Sequence, residues 1–324
     1  MSSVEATLRW SLIAAIAPIA WGSTYFVTRE FLPADIPLWG AVLRALPAGL
    51  LLLAIRRQRP RGAWWWRSVV LGALNMGAFF ALVYVAAQLL PTSIASTIMA
   101  TSPIVMMLFA WLLVSERLRV LPLSGAVVGL AGVVLMLVTG EASVDLWGVV
   151  ASVAAMCMSS LGYILAKRWG GGVDVLALTS WQLIAGGIML VPAAIVWEGA
   201  PPALDAPALL AFGYISIVAT AIGFVAWFTG LRHLDAGTVG LIGLLNPVTG
   251  VLLGVLVAGE SLSAQQLIGL VLVFLGIVMG QPVVARGIRV WRSRSDASGR
   301  AEPAPLVPAP TGATTAQALS RLGG

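Results

Sequence analysis

The chain has 324 residues, of which 59% are hydrophobic and only 10% are charged, and its formal net charge is +6. Soluble proteins carry about 25% charged residues, so this composition leaves too few polar side chains to cover a surface in water. The single Cys157 excludes an internal disulfide, and the single His233 excludes metal sites and catalytic triads built on histidine. We therefore expect a membrane protein that is not an enzyme and that binds no metal or cofactor.

Ten apolar runs follow one another along the chain. Each is close to the length of about 20 residues that crosses a bilayer as a helix. None of them alternates apolar and polar residues, as the strands of a membrane barrel do. The runs cover residues 8–28, 36–55, 67–88, 92–114, 121–140, 146–166, 175–197, 207–230, 237–258 and 264–284. The sequence therefore predicts an all-α membrane protein with ten transmembrane helices and short connections.

The positive charges are confined to alternate connections. Every lysine and arginine except Arg29 and Arg44 lies at a terminus or in the connection after the second, fourth, sixth or eighth run. Because cytoplasmic loops carry the positive excess, we expect both termini in the cytoplasm of a multi-pass protein of the cell inner (plasma) membrane. The net positive charge of the chain is then explained by its orientation in the membrane and by contact with the lipid bilayer. We therefore expect no nucleic-acid partner.

The two ends of the chain differ from the runs between them. The first run is long for a signal peptide and is followed by Arg29 and Glu30 without a small-residue cleavage site, so we expect a retained helix. Residues 286–324 are rich in Pro, Ala, Ser and Gly and contain few large apolar side chains. This composition predicts a disordered cytoplasmic tail.

The chain contains an internal repeat. The segments TSPIVMMLFAWLLVSERL and LNPVTGVLLGVLVAGESL align without a gap, so that Pro103 meets Pro247 and Glu116 meets Glu260. The alignment extends in both directions, and runs one to five resemble runs six to ten. Because five is odd, the second copy enters the membrane from the opposite side. The charges agree, since SERLR belongs to a basic connection and GESLS to an acidic one.

The sequence thus predicts two inverted five-helix repeats, residues 1–140 and residues 141–285. Inverted repeats are a transporter architecture, because two halves that exchange conformations open a cavity first to one side and then to the other. The alternative is that duplication only built a larger stable bundle. Small residues that let helices approach closely recur in both halves. They are Gly125, Gly129, Gly132, Gly269 and Gly276.

Four features together resemble one known family. They are the ten runs in two halves, the opening motif WGSTYF (Trp21–Phe26), Arg44 in the second run, and the spacing of proline and glutamate in both halves. On these features the sequence resembles the EamA-type members of the drug/metabolite transporter superfamily, from about residue 10 to 284. The resemblance implies a carrier of small metabolites, amino acids or drugs, often an exporter, with a central cavity between the halves.

Arg44 is the charged residue placed deepest in a run, roughly 12 Å from its start at 1.5 Å per residue. A charge at that depth is costly and usually faces a cavity or a partner. One interpretation is an anchor for a substrate carboxylate or phosphate, or a gate. The alternative is a structural pairing with helix-end carbonyls, or snorkelling toward Glu30 and Asp35.

Pro103 and Pro247 are predicted hinges, because a proline inside a helix removes a backbone donor and frees a carbonyl. Such backbone is tolerated in a membrane where it is buried in protein or lines water, although a packing kink is the alternative. The polar residues beside the prolines that we expect to line the cavity are Thr101, Ser102, Asn246 and Thr249. Further candidates within the runs are Ser23, Thr24, Asn75, Tyr84, Tyr163, Trp181, Gln182, Thr220 and Trp227. Such a lining suits an uncharged or zwitterionic solute, whereas single Trp and Tyr residues also form interfacial belts, as we expect of Trp64–Trp66.

Glu116 and Glu260 lie at run edges, where a carboxylate favours the start of the next helix through its dipole. A proton or gating role is the alternative. None of the acidic residues lies in the middle of a run, whereas tightly proton-driven carriers commonly use a carboxylate there. We therefore hypothesise a facilitator, or weak coupling through acids at the rim.

These observations favour an alternating-access carrier of small organic solutes, acting as an exporter or facilitator. A carrier of nucleotide sugars or lipid-linked substrates is the main alternative, although it predicts a more basic cavity than Arg44 alone supplies. A channel and a membrane enzyme are further alternatives, but the sequence offers no paired acids, metal set or activated nucleophile. The expected partners are a small-molecule substrate and the bilayer, with a monomer favoured over a dimer.

Overall fold

The computed structural model describes most of the predicted bundle and none of the predicted tail. The described residues are 3–33, 36–90, 92–137, 145–257 and 263–284. They all belong to one compact unit, Met1–Ala285. Glu260, Asp35 and the side chain of Arg29 lie outside the described part. Within it the secondary structure is helical and includes no strand.

Fourteen α-helices make up the described bundle, and several of them join end to end. The helices before residue 138 are α1 (Ser3–Phe31), α2 (Pro37–Arg56), α3 (Trp64–Gly72), α4 (Ala78–Leu89), α5 (Thr92–Met99), α6 (Ser102–Val114) and α7 (Val120–Leu137). The later helices are α8 (Leu146–Trp169), α9 (Val175–Glu198), α10 (Ala206–Tyr214), α11 (Gly223–His233), α12 (Ala236–Gly243), α13 (Leu245–Leu256) and α14 (Ala264–Met279).

Nine helical segments of the described chain are long and apolar enough to cross a membrane, and Ala264–Met279 is a shorter apolar helix. The chain is therefore a multi-pass membrane protein. Each predicted run overlaps one of these segments. The last run ends earlier than predicted, because α14 stops at Met279 and is followed by Gly280 and by Pro282, which lacks the backbone donor needed to continue a helix.

Two of the long segments contain a π-helical turn, which the apolar periodicity does not predict. The first π-turn, Ala73–Gly77, joins α3 to α4, and the second π-turn, Ile215–Ile222, joins α10 to α11. A π-helical turn departs from the regular hydrogen-bond ladder and is frequent at functional sites. The two π-turns occupy corresponding segments of the two predicted repeats.

Two other segments are broken near the predicted hinges. α5 and α6 are separated at Ala100 and Thr101, and Pro103 lies in the first turn of α6. α12 and α13 are separated at Leu244, and Pro247 lies in the first turn of α13. Proline favours the first turn of a helix, where its missing N–H needs no partner. Both helix breaks therefore lie immediately before the prolines that the repeat aligns.

Helices α2 and α9 pack along each other and are held at both ends by tryptophan. The Trp39 Nε1 donates a hydrogen bond to the Gly199 carbonyl at 3.1 Å, just beyond the end of α9. The Trp181 Nε1 donates to the Gln58 carbonyl at 2.8 Å, just beyond the end of α2. Each helix thus fixes the loop that follows the other, and the two contacts are reciprocal.

Helices α7 and α14 approach at backbone distance through the glycines of the repeat. A Cβ atom added to Gly125 would lie 2.6 Å from the Gly276 carbonyl oxygen, and one added to Gly132 would lie 2.5 Å from the Gly269 oxygen. Real Cβ atoms do not tolerate such distances, so each position requires glycine. The pairing is again reciprocal, because Gly125 aligns with Gly269 and Gly132 with Gly276.

We expect Gly132→Ala to lower the free energy of unfolding by about 1–3 kcal/mol, because the added methyl group forces α7 and α14 apart. The matched control is Gly213→Ala in α10, where an added Cβ meets nothing within 4 Å. That control should be stabilised by up to about 1 kcal/mol, the helix-propensity difference between the two residues. Thermal unfolding of the purified variants in neutral detergent measures both changes. Equal shifts of the unfolding temperature, with the same sign, in Gly132→Ala and Gly213→Ala would contradict the close contact between α7 and α14.

Candidate functional site

Five aromatic residues from α1, α8 and α11 form a connected group, here called the aromatic cluster. Trp21 lies 5.1 Å from Phe224 and 5.3 Å from Trp227, measured between ring centroids. Tyr163 lies 5.5 Å from Trp227 and 6.0 Å from Phe228. Trp227 is only 3% exposed, and its Nε1 has no hydrogen-bond partner within the described structure. The cluster is therefore apolar and contains one buried N–H donor without a partner among the described residues.

The second π-turn provides hydrogen-bonding groups beside the cluster. The Trp21 Nε1 donates to the Ala219 carbonyl at 2.9 Å. The next residue, Thr220, is fully buried, and its hydroxyl oxygen accepts a hydrogen bond from the Arg44 Nε at 3.1 Å. Ser216, on the same turn, is 4% exposed and its hydroxyl has no partner among the described residues. The turn thus connects a polar patch on one side to the tryptophan on the other.

Arg44 brings a positive charge to this region from α2. Its guanidinium carbon lies 4.9 Å from the centroid of the Phe80 ring, a cation–π distance. The side chain is half-buried. The hydrogen bond to Thr220 joins the first half of the chain to the second.

A buried amide pair lies at the first π-turn. The Asn75 Nδ2 donates to the Gln182 Oε1 at 2.8 Å, and both side chains are fully buried. The Asn75 Oδ1 and the Gln182 Nε2 have no partner in the described chain. Gly162 allows this fit, because a Cβ atom there would collide with the Asn75 Oδ1. The pair therefore links the first π-turn to α8 and α9.

Replacing one amide of this pair is expected to destabilise the protein more than replacing both. Asn75→Leu should lower the free energy of unfolding by about 1–3 kcal/mol, because it leaves the Gln182 amide buried without its partner. The double variant Asn75→Leu/Gln182→Met should recover much of that loss, since no buried amide then remains. Thermal unfolding of the two single variants and the double variant measures the coupling. Strictly additive changes would show that the hydrogen bond contributes little.

The motif Trp21–Phe26 lies where α1 crosses α13. Gly22 permits the crossing, since a Cβ atom there would lie 2.5 Å from the Asn246 carbonyl oxygen. The Ser23 hydroxyl lies 2.6 Å from the Tyr214 hydroxyl, and the Thr24 hydroxyl donates to the Trp21 carbonyl. The motif thus contacts both the helix that follows the second break and the end of α10.

The remaining candidate residues are distributed more widely. Trp181 lies against Trp64, at a ring-centroid distance of 5.6 Å, and bonds the loop after α2 instead of joining the aromatic cluster. The Thr101 hydroxyl donates to the Ile98 carbonyl at 2.7 Å, which closes the break between α5 and α6. The half-buried candidates on α4, α6 and α13 are Tyr84, Ser102 and Thr249.

The basic connections meet at one end of the bundle, here called the basic end. Glu116 contacts two groups there. Its Oε2 accepts a hydrogen bond from the Ala236 N–H at 2.8 Å, and its Oε1 lies 2.5 Å from the Lys167 Nζ. The Lys167 Nζ also donates to the Leu234 carbonyl at 2.6 Å. We call Glu116, Lys167 and the start of α12 the clasp.

The clasp adds one detail to the sequence interpretation. The interpretation of Glu116 as a carboxylate at the start of α7 stays a prediction, and the structure adds a contact with the start of α12. Ser115, the residue before Glu116, has a positive φ of 56°. Two further ion pairs cross between the halves, Arg119–Asp235 at 2.9 Å and Arg56–Asp174 at 3.3 Å.

Comparisons with known proteins agree with this architecture. A sequence profile of the EamA-like transporter family matches residues 8–138 and, a second time, residues 146–279. The protein PecM of Dickeya dadantii is 36% identical over 272 residues, which cover 83% of this chain and 91% of PecM. The uncharacterized inner membrane transporter YedA of Escherichia coli is 29% identical over 266 residues, 81% of this chain and 87% of YedA.

A chain of known crystal structure has the same fold. It superposes with a TM-score of 0.75 over 86% of this chain and 99% of its own length. The sequences are only 23% identical in that alignment, so the likeness concerns the fold alone.

Proposed function

The chain belongs to the EamA-like transporter family, and on that premise we propose that it carries small organic metabolites across the membrane by alternating access. The carrier would act as an exporter or a facilitator in the cell inner membrane, the location that the name of YedA states for that relative. The two moving units would be residues 1–140 and 141–285, inverted with respect to each other, with both termini in the cytoplasm.

Reciprocal contacts support two inverted halves. Trp39 and Trp181 align in the repeat, and each bonds the loop after the other's helix. The glycine contacts of α7 and α14 are exchanged in the same way. Both π-turns and both helix breaks fall in corresponding segments. The matching π-turns and breaks follow from duplication, and a two-fold relation between the halves accounts for the exchanged contacts as well.

The observation that carries the proposal is the hydrogen bond from Arg44 of the first half to Thr220 of the second, on the turn whose Ala219 carbonyl accepts from Trp21 of the aromatic cluster. Arg44 supplies a fixed charge and Thr220 a hydroxyl, while Tyr163 and Trp227 supply aromatic faces. A site of this kind, largely apolar with a few convergent polar groups, suits a small organic solute. A residue that binds substrate between two moving halves is released or engaged when they exchange conformations.

The position of the acids supports a facilitator. In the described part of the chain, every Asp and Glu lies in a loop or in the first or last turn of a helix. Glu198, for example, accepts hydrogen bonds from the N–H groups of Leu38 and Trp39 at the start of α2. A carboxylate that caps a helix at the rim is poorly placed to carry protons through the middle of the membrane.

The test begins with a ligand screen and ends with transport. The purified protein is heated in neutral detergent with amino acids, nucleosides and cationic drugs, and a compound that raises the unfolding temperature is taken as a ligand. The protein is then reconstituted in liposomes, where we expect exchange of the labelled ligand against unlabelled ligand without any ion gradient. A strict requirement for an imposed pH gradient would overturn the facilitator, and unsaturable flux would overturn the carrier.

A further inference from the structure

Arg67, in the first turns of α3, is surrounded by tryptophan. Its guanidinium carbon lies 5.5 Å from the ring centroid of Trp64, 5.7 Å from that of Trp66 and 5.5 Å from that of Trp169. These four residues are here called the arginine cage. Three indole faces stabilise a cation through their quadrupoles, so the cage holds a positive charge in place at the basic end.

The cage is fixed on its protein side and open on the other. Trp66 packs edge-on against Trp169 at 5.2 Å, and Trp64 rests on Trp181 at 5.6 Å. These contacts tie α3 to α8 and α9. On the outer side Trp66 is 52% exposed and the adjacent Trp65 is 62% exposed. The indoles therefore present their edges to the region where lipid headgroups meet the protein.

The cage leaves the donors of its arginine without acceptors. The Nε of Arg67 is buried and has no hydrogen-bond partner within the described structure. None of the three ion pairs found there includes Arg67. An indole face attracts the cation but accepts no in-plane N–H bond, whereas a guanidinium has five donors in a planar fork. The described chain therefore supplies no acceptor for this guanidinium.

The charges nearby favour an anionic occupant. Arg57, Arg59 and Arg61 are exposed in the loop just before the cage, and none of the ion pairs between described residues includes them. The local field is therefore positive. At the other end of the bundle, Trp147 and Trp197 are 73% and 76% exposed, and in the described residues no arginine lies over either ring. An arginine held over the rings is therefore a feature of the cage and is not found at every exposed tryptophan of the described chain.

We propose that the arginine cage binds the phosphate of an anionic phospholipid in the leaflet at the basic end. A phosphate oxygen matches the guanidinium fork and supplies the missing acceptors, while the exposed indoles of Trp65 and Trp66 lie beside the glycerol and upper acyl chain. Basic pockets at the membrane surface bind such headgroups. This site is separate from the solute site at Arg44 and does not depend on what the protein transports.

Native mass spectrometry of the full chain, released from detergent micelles containing either POPG or POPC, tests the site. We expect wild-type protein to retain POPG in preference to POPC. Arg67→Gln should weaken POPG retention by about ten-fold, the factor expected for losing one strong charge-assisted contact. The matched control is Arg61→Gln, which removes the same charge from an exposed position outside the cage and should change retention by less than about two-fold.

Two further measurements complete the test. One distinguishes a lipid phosphate from free phosphate, and the other shows whether a loss of binding is due to misfolding. Millimolar inorganic phosphate should not displace POPG, because the indoles recognise the lipid as well as its phosphate. Arg67→Lys keeps the charge but loses the planar fork, and it should fold normally and bind POPG with intermediate strength. Equal losses for Arg67→Gln and Arg61→Gln, or equal retention of POPG and POPC by the wild type, would overturn the proposal. So would displacement of POPG by free phosphate.

Discussion

Arg44→Ala is expected to reduce exchange of an identified ligand in liposomes by at least about ten-fold. The reason is that Arg44 is the cation of the proposed solute site, where its Nε bonds the buried Thr220 hydroxyl and its guanidinium covers the Phe80 ring. Loss of a hydrogen bond to a charged group costs about 1.5–3 kcal/mol, which corresponds to a factor of about 10 or more in binding. Ligand-dependent thermal stabilisation of the same variant should fall in parallel.

The variant Arg44→Lys distinguishes a role of Arg44 in binding the solute from a role in folding. Lysine keeps the charge and much of the length but cannot present two parallel donors to a carboxylate. We therefore expect Arg44→Lys to fold as the wild type does and to bind with intermediate affinity. Thr220→Val removes the hydroxyl that orients the guanidinium and should have a smaller effect, of about three- to ten-fold. Normal exchange by well-folded Arg44→Ala and Arg44→Lys would exclude Arg44 as an anchor.

The helices of this protein were predictable because the bilayer imposes their length and apolarity. Both helix breaks lie immediately before a proline, a residue whose missing N–H acts locally. The π-turns were not predictable in this way. Nothing in ALNMG or ISIVATAI distinguishes these segments from ordinary α-helix. Tertiary contacts distinguish the second of them, where the Trp21 Nε1 donates a hydrogen bond to the Ala219 carbonyl.

The site was harder to predict than the fold because a run of residues does not reveal which neighbour each side chain faces. Trp181 and Trp227 look alike as aromatic residues within a run, yet one bonds a loop at the basic end and the other lies in the aromatic cluster. Phe224 and Phe228 carry no polar atom, so their side chains alone do not mark them as site residues. The repeat did contain a signal for them, because Phe224 aligns with Phe80 and Phe228 with Tyr84.

Lys167 shows the same limit for charged residues. Its sequence position marks it only as part of a basic loop, whereas the structure places its Nζ between the Glu116 carboxylate and the Leu234 carbonyl. The partners are far apart in sequence and come together only because α6, α8 and α12 converge. The sequence position of Lys167 therefore indicates only the orientation of the chain in the membrane. The fold shows in addition that Lys167 joins the two parts of the chain.

Glu116→Ala is expected to lower the free energy of unfolding by about 2–4 kcal/mol, a larger effect than that of any other single ion-pair variant described here. The Lys167 and Glu116 side chains are only 18% and 20% exposed, so the substitution leaves a poorly solvated ammonium without its carboxylate. It also removes the acceptor for the Ala236 N–H at the start of α12. Thermal unfolding in neutral detergent measures the loss, and Glu116→Gln should retain part of the stability by keeping the hydrogen bond.

In the proposed transport cycle the clasp has a second role, because it joins the halves at the basic end and must open when that end opens. Thr238, near the start of α12, is 2% exposed behind the clasp. The probe is the variant Thr238→Cys in a Cys157→Ser background, labelled with a maleimide. Replacing Glu116 by alanine should accelerate this labelling by about ten-fold or more, because a loss of about 1.4 kcal/mol shifts a two-state equilibrium ten-fold. Arg119→Gln, which breaks an ion pair that is about half exposed, should change neither stability nor labelling appreciably. If both substitutions accelerated labelling equally, the halves would be held by the general charge of this end, and the clasp would have no specific part in closing it.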